Sequence, residues 1–149
     1  MENFLLRAAN SDDGPRIRRL VRLVRINPMG LDWRRFVILA DDRGTFAGCA
    51  QVKRHTDGSR ELASLAVRPR FRGMGGAQRL IEHFTAQTRR PLYLLCRPEL
   101  ASFYERFGFR TAEPHLLPRY FRRIRRFAST VGRLTHHEGP VVMRLDDAT

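Results

Sequence analysis

The chain reads as an α+β domain, and three observations say so. Short apolar runs bounded by turn residues alternate with stretches of helical period. Three of those runs follow one another through tight turns, as an antiparallel meander requires. The length, 149 residues, suits one domain with a buried core rather than two.

Taken in order, residues 4–8 form a short apolar strand. Ser11 and Asp12 are N-cap candidates for a helix whose Ile17, Leu20, Val21 and Val24 share one face, with Arg16, Arg18, Arg19, Arg22 and Arg25 outside that stripe. Pro28 and Gly30 end it. Phe36–Ala40, a turn over 41–44 and a strand over 45–55 read as a hairpin, and a second turn at Asp57 and Gly58 leads into a strand over 61–67. Leu80, Ile81 and Phe84 mark a helix, Leu92–Cys96 is a continuous apolar strand, residues 100–107 a short helix, and Val141–Leu145 a last strand. Before that strand, Pro118 suits the first turn of another helix. Along it Tyr120, Ile124, Phe127, Val131 and Leu134 recur at spacings of four and three and share a face, leaving Arg119, Arg122, Arg123, Arg125 and Arg126 mostly elsewhere.

Composition is ordinary for a folded chain, with 42% hydrophobic and 29% charged residues. The charge balance is not. Lys plus Arg number 28 against 15 Asp plus Glu, a net charge of +13, and Lys53 is the one lysine. Such a field favours anionic partners, whether phosphates, nucleic acids or acidic membranes, and is silent on fold. Cys49 and Cys96 both sit in apolar runs and read as small buried hydrophobes, not a disulfide framework. The first residues lack a secretory pattern and no run approaches a membrane span, so a cytoplasmic, reducing compartment is the expectation.

The stretch VRPRFRGMGGA, 67–77, crowds three glycines and three arginines around one proline. A tight turn needs a glycine, which enters left-handed conformations freely, but does not need the arginines. Lying between a strand and a helix, the stretch presents amides that lack intrahelical partners at the positive end of a helix dipole. Gly73, Gly75 and Gly76 let an anion approach the backbone, and Arg72 adds a charge-assisted contact. No Gly-Lys-Ser/Thr follows, so it is not a Walker loop, and it is not Gly-x-Gly-x-x-Gly.

The run LAVRPRFRGMGGAQRLI resembles motif A of the GNAT superfamily of acyl-CoA N-acyltransferases, its signature matched by Arg72, Gly73, Met74, Gly75, Gly76 and Ala77. ASFYERFGF, 101–109, resembles the family's late helix, which carries Tyr104 and ends in Gly-Phe at the next strand; LLRAANSDDGPRIRRLV resembles its first strand and helix. The likeness spans nearly the whole chain except residues 115–138. It implies a mixed, mostly antiparallel sheet of about seven strands flanked by helices and splayed between its central strands. It also implies that acetyl-CoA is the acyl donor, with no metal. Its pyrophosphate would lie on the amides of the glycine signature and its pantetheine arm along the strand containing Leu65, Ala66 and Val67. Many family members carry an asparagine at the start of the late helix; this chain has CRPEL, leaving Arg97 as either a CoA-phosphate contact or a solvated cation.

Transfer from a thioester to an amine needs a base for the amine, polarisation of the carbonyl and a proton for the departing thiolate. Glu61, at the head of its strand, is a candidate base, directly or through water, or else an exposed strand-edge carboxylate. Tyr104 is, by the resemblance, the acid. Main-chain N–H groups near Leu65 to Val67 would polarise the carbonyl. Adjacent His136 and His137 do not stand at metal-ligand spacing, His55 and His83 read as structural or exposed, and Trp33 as core.

The expectation is thus a single acetyltransferase domain over 1–149 with a basic helical insertion at about 115–138. Its acceptor is a primary amine: a protein lysine, a protein N-terminus, a small amine, or an amine on an acidic macromolecule drawn to the arginine face. Monomer and dimer stay open. The rivals are a non-catalytic basic module binding nucleic acid or ribosomes, and a domain that binds CoA as a regulator.

Overall fold

The computed structural model describes residues 3–135 and 139–147. They form seven strands and four α-helices, and every pair whose register is defined runs antiparallel, giving the α+β class the pattern predicts. The chain divides into two compact units, Met1–Lys53 with Leu62–Gln87, and Arg54–Glu61 with Thr88–Thr149.

In the first unit, β1 (Leu5–Ala8) pairs with β2 (Phe36–Ala40), and β2 with β3 (Phe46–Arg54). The meander continues into β4 (Arg60–Val67), whose last residues belong to this unit. Helix α1 (Asp13–Leu23) lays Ile17, Leu20 and Val21 against Phe36, Ile38, Cys49 and Ala66, the stripe the helical period picks out. Its start differs from expectation. Asp12 occupies the cap position without a side-chain bond; instead the fully buried Asp13 carboxylate accepts from the Asn10 amide at 2.8 Å and from both Arg7 terminal nitrogens at 2.6 and 2.9 Å. Those Arg7 bonds hold the Asp13 carboxyl at about 2. Spacing alone favoured Ser11 or Asp12, because the arginine that reaches back from β1 is not a local signal. Trp33 packs at the edge of this core. Helix α2 (Gly76–Gln87) buries Leu80, Ile81 and Phe84.

In the second unit, β5 (Leu92–Cys96) pairs with β7 (Val141–Leu145), and β7 with the two-residue β6 (Arg110–Thr111). The late helix is shorter than expected: a 3-10 turn over Pro98–Leu100 leads into α3 (Ala101–Glu105). Helix α4 (Arg119–Thr135) follows Pro118, whose carbonyl accepts the Arg122 amide at 3.0 Å. Its docking face departs from the apolar stripe. Phe121 is the buried anchor, stacked on Tyr93 at 4.9 Å and clustered with Leu117 and Val142, whereas Phe127 is 72% exposed. A phase shift of about one residue turns Phe127 outward, since neighbouring residues lie roughly 100° apart round a helix. The side chains of Val131 and Leu134, and His136 and His137 entirely, lie outside the described residues.

Candidate active site

At the head of α2, the chain leaves β4 through a 3-10 turn over Pro69–Phe71. Gly73 and Gly75 then adopt φ of +77° and +84°, a region closed to most L-residues, and nothing lies within 4 Å of where a Cβ would stand on either. Gly76, by contrast, is buried, and a Cβ there would sit 2.5 Å from Leu39 Cδ2, so the helix approaches β2 through a missing side chain. The amide of Arg79 bonds the Gly75 carbonyl at 3.1 Å, and the amides before it form the open N-terminal turn. Arg72, Gly73, Met74 and Gly75 are exposed, Ala77 half-buried. The Arg72 guanidinium has no protein acceptor among the described residues, which leaves an exposed cation beside the first turn of α2.

Just upstream, β4 contains a residue that strand pattern conceals. Ser64 stands at φ +57° inside the strand, a strained setting for a side chain other than glycine. Gln51, fully buried, holds it: Nε2 donates to Ser64 Oγ at 2.8 Å and to the Gly30 carbonyl at 3.1 Å, while Oε1 accepts from Arg35 Nε at 3.1 Å. The positive φ departs from extended backbone directly before Leu65, Ala66 and Val67.

In the second unit, Glu61 is not an exposed edge carboxylate. It is 6% exposed, and His55 Nε2 lies 2.8 Å from its Oε1. The His55 ring stacks flat on Tyr120, centroids 3.5 Å apart and planes 13° apart, with Phe121 edge-on at 5.8 Å. Asp57, in the turn between His55 and Glu61, accepts the Tyr120 amide at 2.9 Å and so caps a helix with no acidic residue in its own first turn. Burial, then the nearby Glu61, push the Tyr120 phenol up. The start of α4 is thereby fastened to the carboxylate that the sequence nominates as a base.

Tyr104, on α3, is half-buried between Phe103 at 5.2 Å and Phe109 at 6.2 Å. Its hydroxyl has no hydrogen-bond partner among the described residues, so it keeps a proton to give. Burial first, then the neighbouring Cys96, push its pKa up to about 12. Cys96 is itself pushed up to about 11 by burial and Glu99, and both cysteines are buried and unpaired. Arg97, directly after β5, is exposed. Glu61 and Tyr104 make no hydrogen bond to each other.

Sequence reasoning missed His55, Tyr120, Ser64 and Gln51. The signal was weak: a His before a turn, a Gln amid apolar residues, an aromatic on a helix far along the chain. Among the described residues no group of three His, Cys, Asp or Glu is placed to hold a metal, and no helix is long and apolar enough to cross a membrane.

Comparison with known proteins puts this arrangement in context. Structurally, the chain is similar to N-acetylglutamate synthase from Neisseria gonorrhoeae, solved with coenzyme A and N-acetyl-glutamate: TM-score 0.77, 23% identity, 100% of this chain and 36% of that one. The chain thus spans about a third of that enzyme's length. It is also similar to Rv2747 from Mycobacterium tuberculosis, solved in a complex with CoA (TM-score 0.70, 19% identity, 97% of this chain and 99% of that one). A third likeness is to Ard1 from Thermoplasma volcanium (TM-score 0.68, 15% identity, 98% and 99%). No curated protein sequence matches. The family model for the acetyltransferase (GNAT) domain matches residues 32–111, which carry the meander, the glycine turn, β5 and the late helix; the chain belongs to the GNAT acetyltransferase family.

Proposed function

We propose that the protein transfers an acyl group, acetyl foremost, from acyl-CoA to a primary amine, directly within a ternary complex. The observation that carries this reading is the turn at 72–77, where Gly73 and Gly75 take positive φ with open space beside their Cα atoms, at the positive end of α2. Acyl-CoA supplies the activated thioester. The amides of Gly73 to Ala77, with Arg72, would hold its pyrophosphate, and the exposed Arg97 would contact a phosphate of CoA. Amides of Leu65 to Val67, which follow the positive-φ Ser64, would bind the pantetheine arm and polarise the carbonyl.

Glu61 accepts the proton leaving the amine, and its His55 bond fixes one carboxylate oxygen so that the other is available. Tyr104, protonated far above neutrality, donates its proton to the thiolate. The test is CoA release measured against a panel of small amines, peptides and denatured lysate, with mass spectrometry of the purified protein for bound CoA. Release that depends on both donor and amine is expected; no bound CoA and no release with any amine would overturn the reading.

A further inference from the structure

Helix α4 carries Arg119, Arg122, Arg123, Arg125, Arg126 and Arg133 and not one acidic residue. Arg122 stands at helical-neighbour spacing from Arg119, Arg125 and Arg126, and like charges so placed repel. Arginines in the first turn also oppose the helix dipole. Among the described residues Arg122, Arg125 and Arg126 have no acidic partner, so the local sequence works against the helix it forms. These three arginines line an open cleft of about 580 Å³ together with Pro114, Leu117, Ser129 and Thr130. That volume is in the range of ligand clefts.

We propose that this cleft docks an acidic stretch of a polypeptide acceptor. The inference deepens the acyltransferase reading and rests on it for the word acceptor. Three features choose this occupant. First, guanidinium forks match carboxylates bidentately, and the cleft has nothing to offer a cation. Second, the exposed Pro114 suits the methylenes of a peptide, whereas a nucleic-acid backbone offers little to bury there. Third, Tyr120, on the same helix, stacks on the His55 that binds Glu61, while the three arginines lie roughly 120–160° round the axis from it. An amine at Glu61 and an anion in the cleft therefore sit on different sides of α4, a span that an extended chain bridges and a small amine does not.

The test compares two short peptides with free N-terminal amines, one of Gly, Asp and Glu and one of Gly and Ser, as acceptors for the full chain and for a variant combining Arg122→Gln, Arg125→Gln and Arg126→Gln. The acidic peptide is expected to show a KM about tenfold lower, with the advantage lost in the variant and in high salt, and with transfer to the neutral peptide unchanged. The matching Lys variant, which retains charge, keeps part of the advantage, and thermal melts check that both variants fold. Fluorescence anisotropy of the labelled acidic peptide reads docking even if no transfer occurs, so loss of the acyltransferase reading and loss of this one are distinguishable. Equal KM for the two peptides, equal response of both to the variant, or tight arginine-dependent binding of a single-stranded oligonucleotide with none of the acidic peptide overturns the proposal.

Discussion

His55 lies face to face with Tyr120, ring centroids 3.5 Å apart, while its Nε2 stands 2.8 Å from Glu61 Oε1. A residue of the β3–β4 turn, the head of β4 and the first turn of α4 are thus one unit of contact. The stack limits imidazole rotation, and the imidazole limits the carboxylate.

If Glu61 takes the amine proton, Glu61→Gln should flatten the acidic limb of the pH–rate profile, because the carboxylate that must be ionised to accept that proton is gone. Rate falls by about a hundredfold or more, the worth of a positioned base. His55→Gln should reduce turnover less, with the KM for acetyl-CoA unchanged. An unaltered profile in Glu61→Gln together with unaltered turnover in His55→Gln would remove the pair from the mechanism.

Tyr104→Phe should leave acetyl-CoA affinity near normal and lower turnover about one hundred- to ten thousandfold. The sign of the pKa matters here. Burial raises it to about 12, so the phenol stays protonated and able to donate throughout the range in which enzymes are assayed, and no alkaline loss of rate should trace to it below that value. Stopped assays across alkaline pH, with calorimetry for affinity, read both arms; wild-type turnover in the Phe variant would exclude the role.

Two adjacent glycines should fail differently. Gly75→Glu meets open space but puts a negative charge at φ +84° where an anion is proposed to bind, so calorimetry should find acetyl-CoA binding lost with a stability cost of only about 1–2 kcal/mol. Gly76→Ala drives a Cβ to 2.5 Å from the fully buried Leu39 and should cost about 1–3 kcal/mol in thermal unfolding. Normal acetyl-CoA affinity in Gly75→Glu would contradict the anion site.

Helix α4 offers a stability test with an internal control. Phe121→Ala empties a site with no exposure, stacked on Tyr93, and should destabilise by about 3–5 kcal/mol. Phe127→Ala, at an exposed position, should stay within about 0.5 kcal/mol. Denaturant melts that rank the two the other way would mean α4 docks on its apolar stripe after all.

Local chemistry accounts for what could be read from the chain directly. The turn at 72–77 was legible because glycine freedom, a preceding strand and a following helix are all neighbours in sequence. The meander was legible because turn residues at 41–44 and 57–58 interrupt apolar runs, and α1 because its stripe of Ile17, Leu20 and Val21 has a single phase. Tyr104 is a candidate acid only through its family motif, as nothing in its own spacing separates an acid from a core tyrosine.

The phase of α4 is different. Aromatic or branched residues at 120, 121, 124 and 127 permit two neighbouring docking faces, and which one is buried depends on Tyr93 and Val142, strand residues that meet the helix only when the chain folds. The same holds for the carboxylate. By itself the sequence determined that Glu61 heads a strand; that it is buried and bonded to a His55 stacked on Tyr120, in a helix starting 58 residues later, was decided by tertiary structure. Backbone preferences act over a turn or two and are written in adjacent residues, whereas burial and hydrogen-bond partnership are properties of the space that distant segments enclose together.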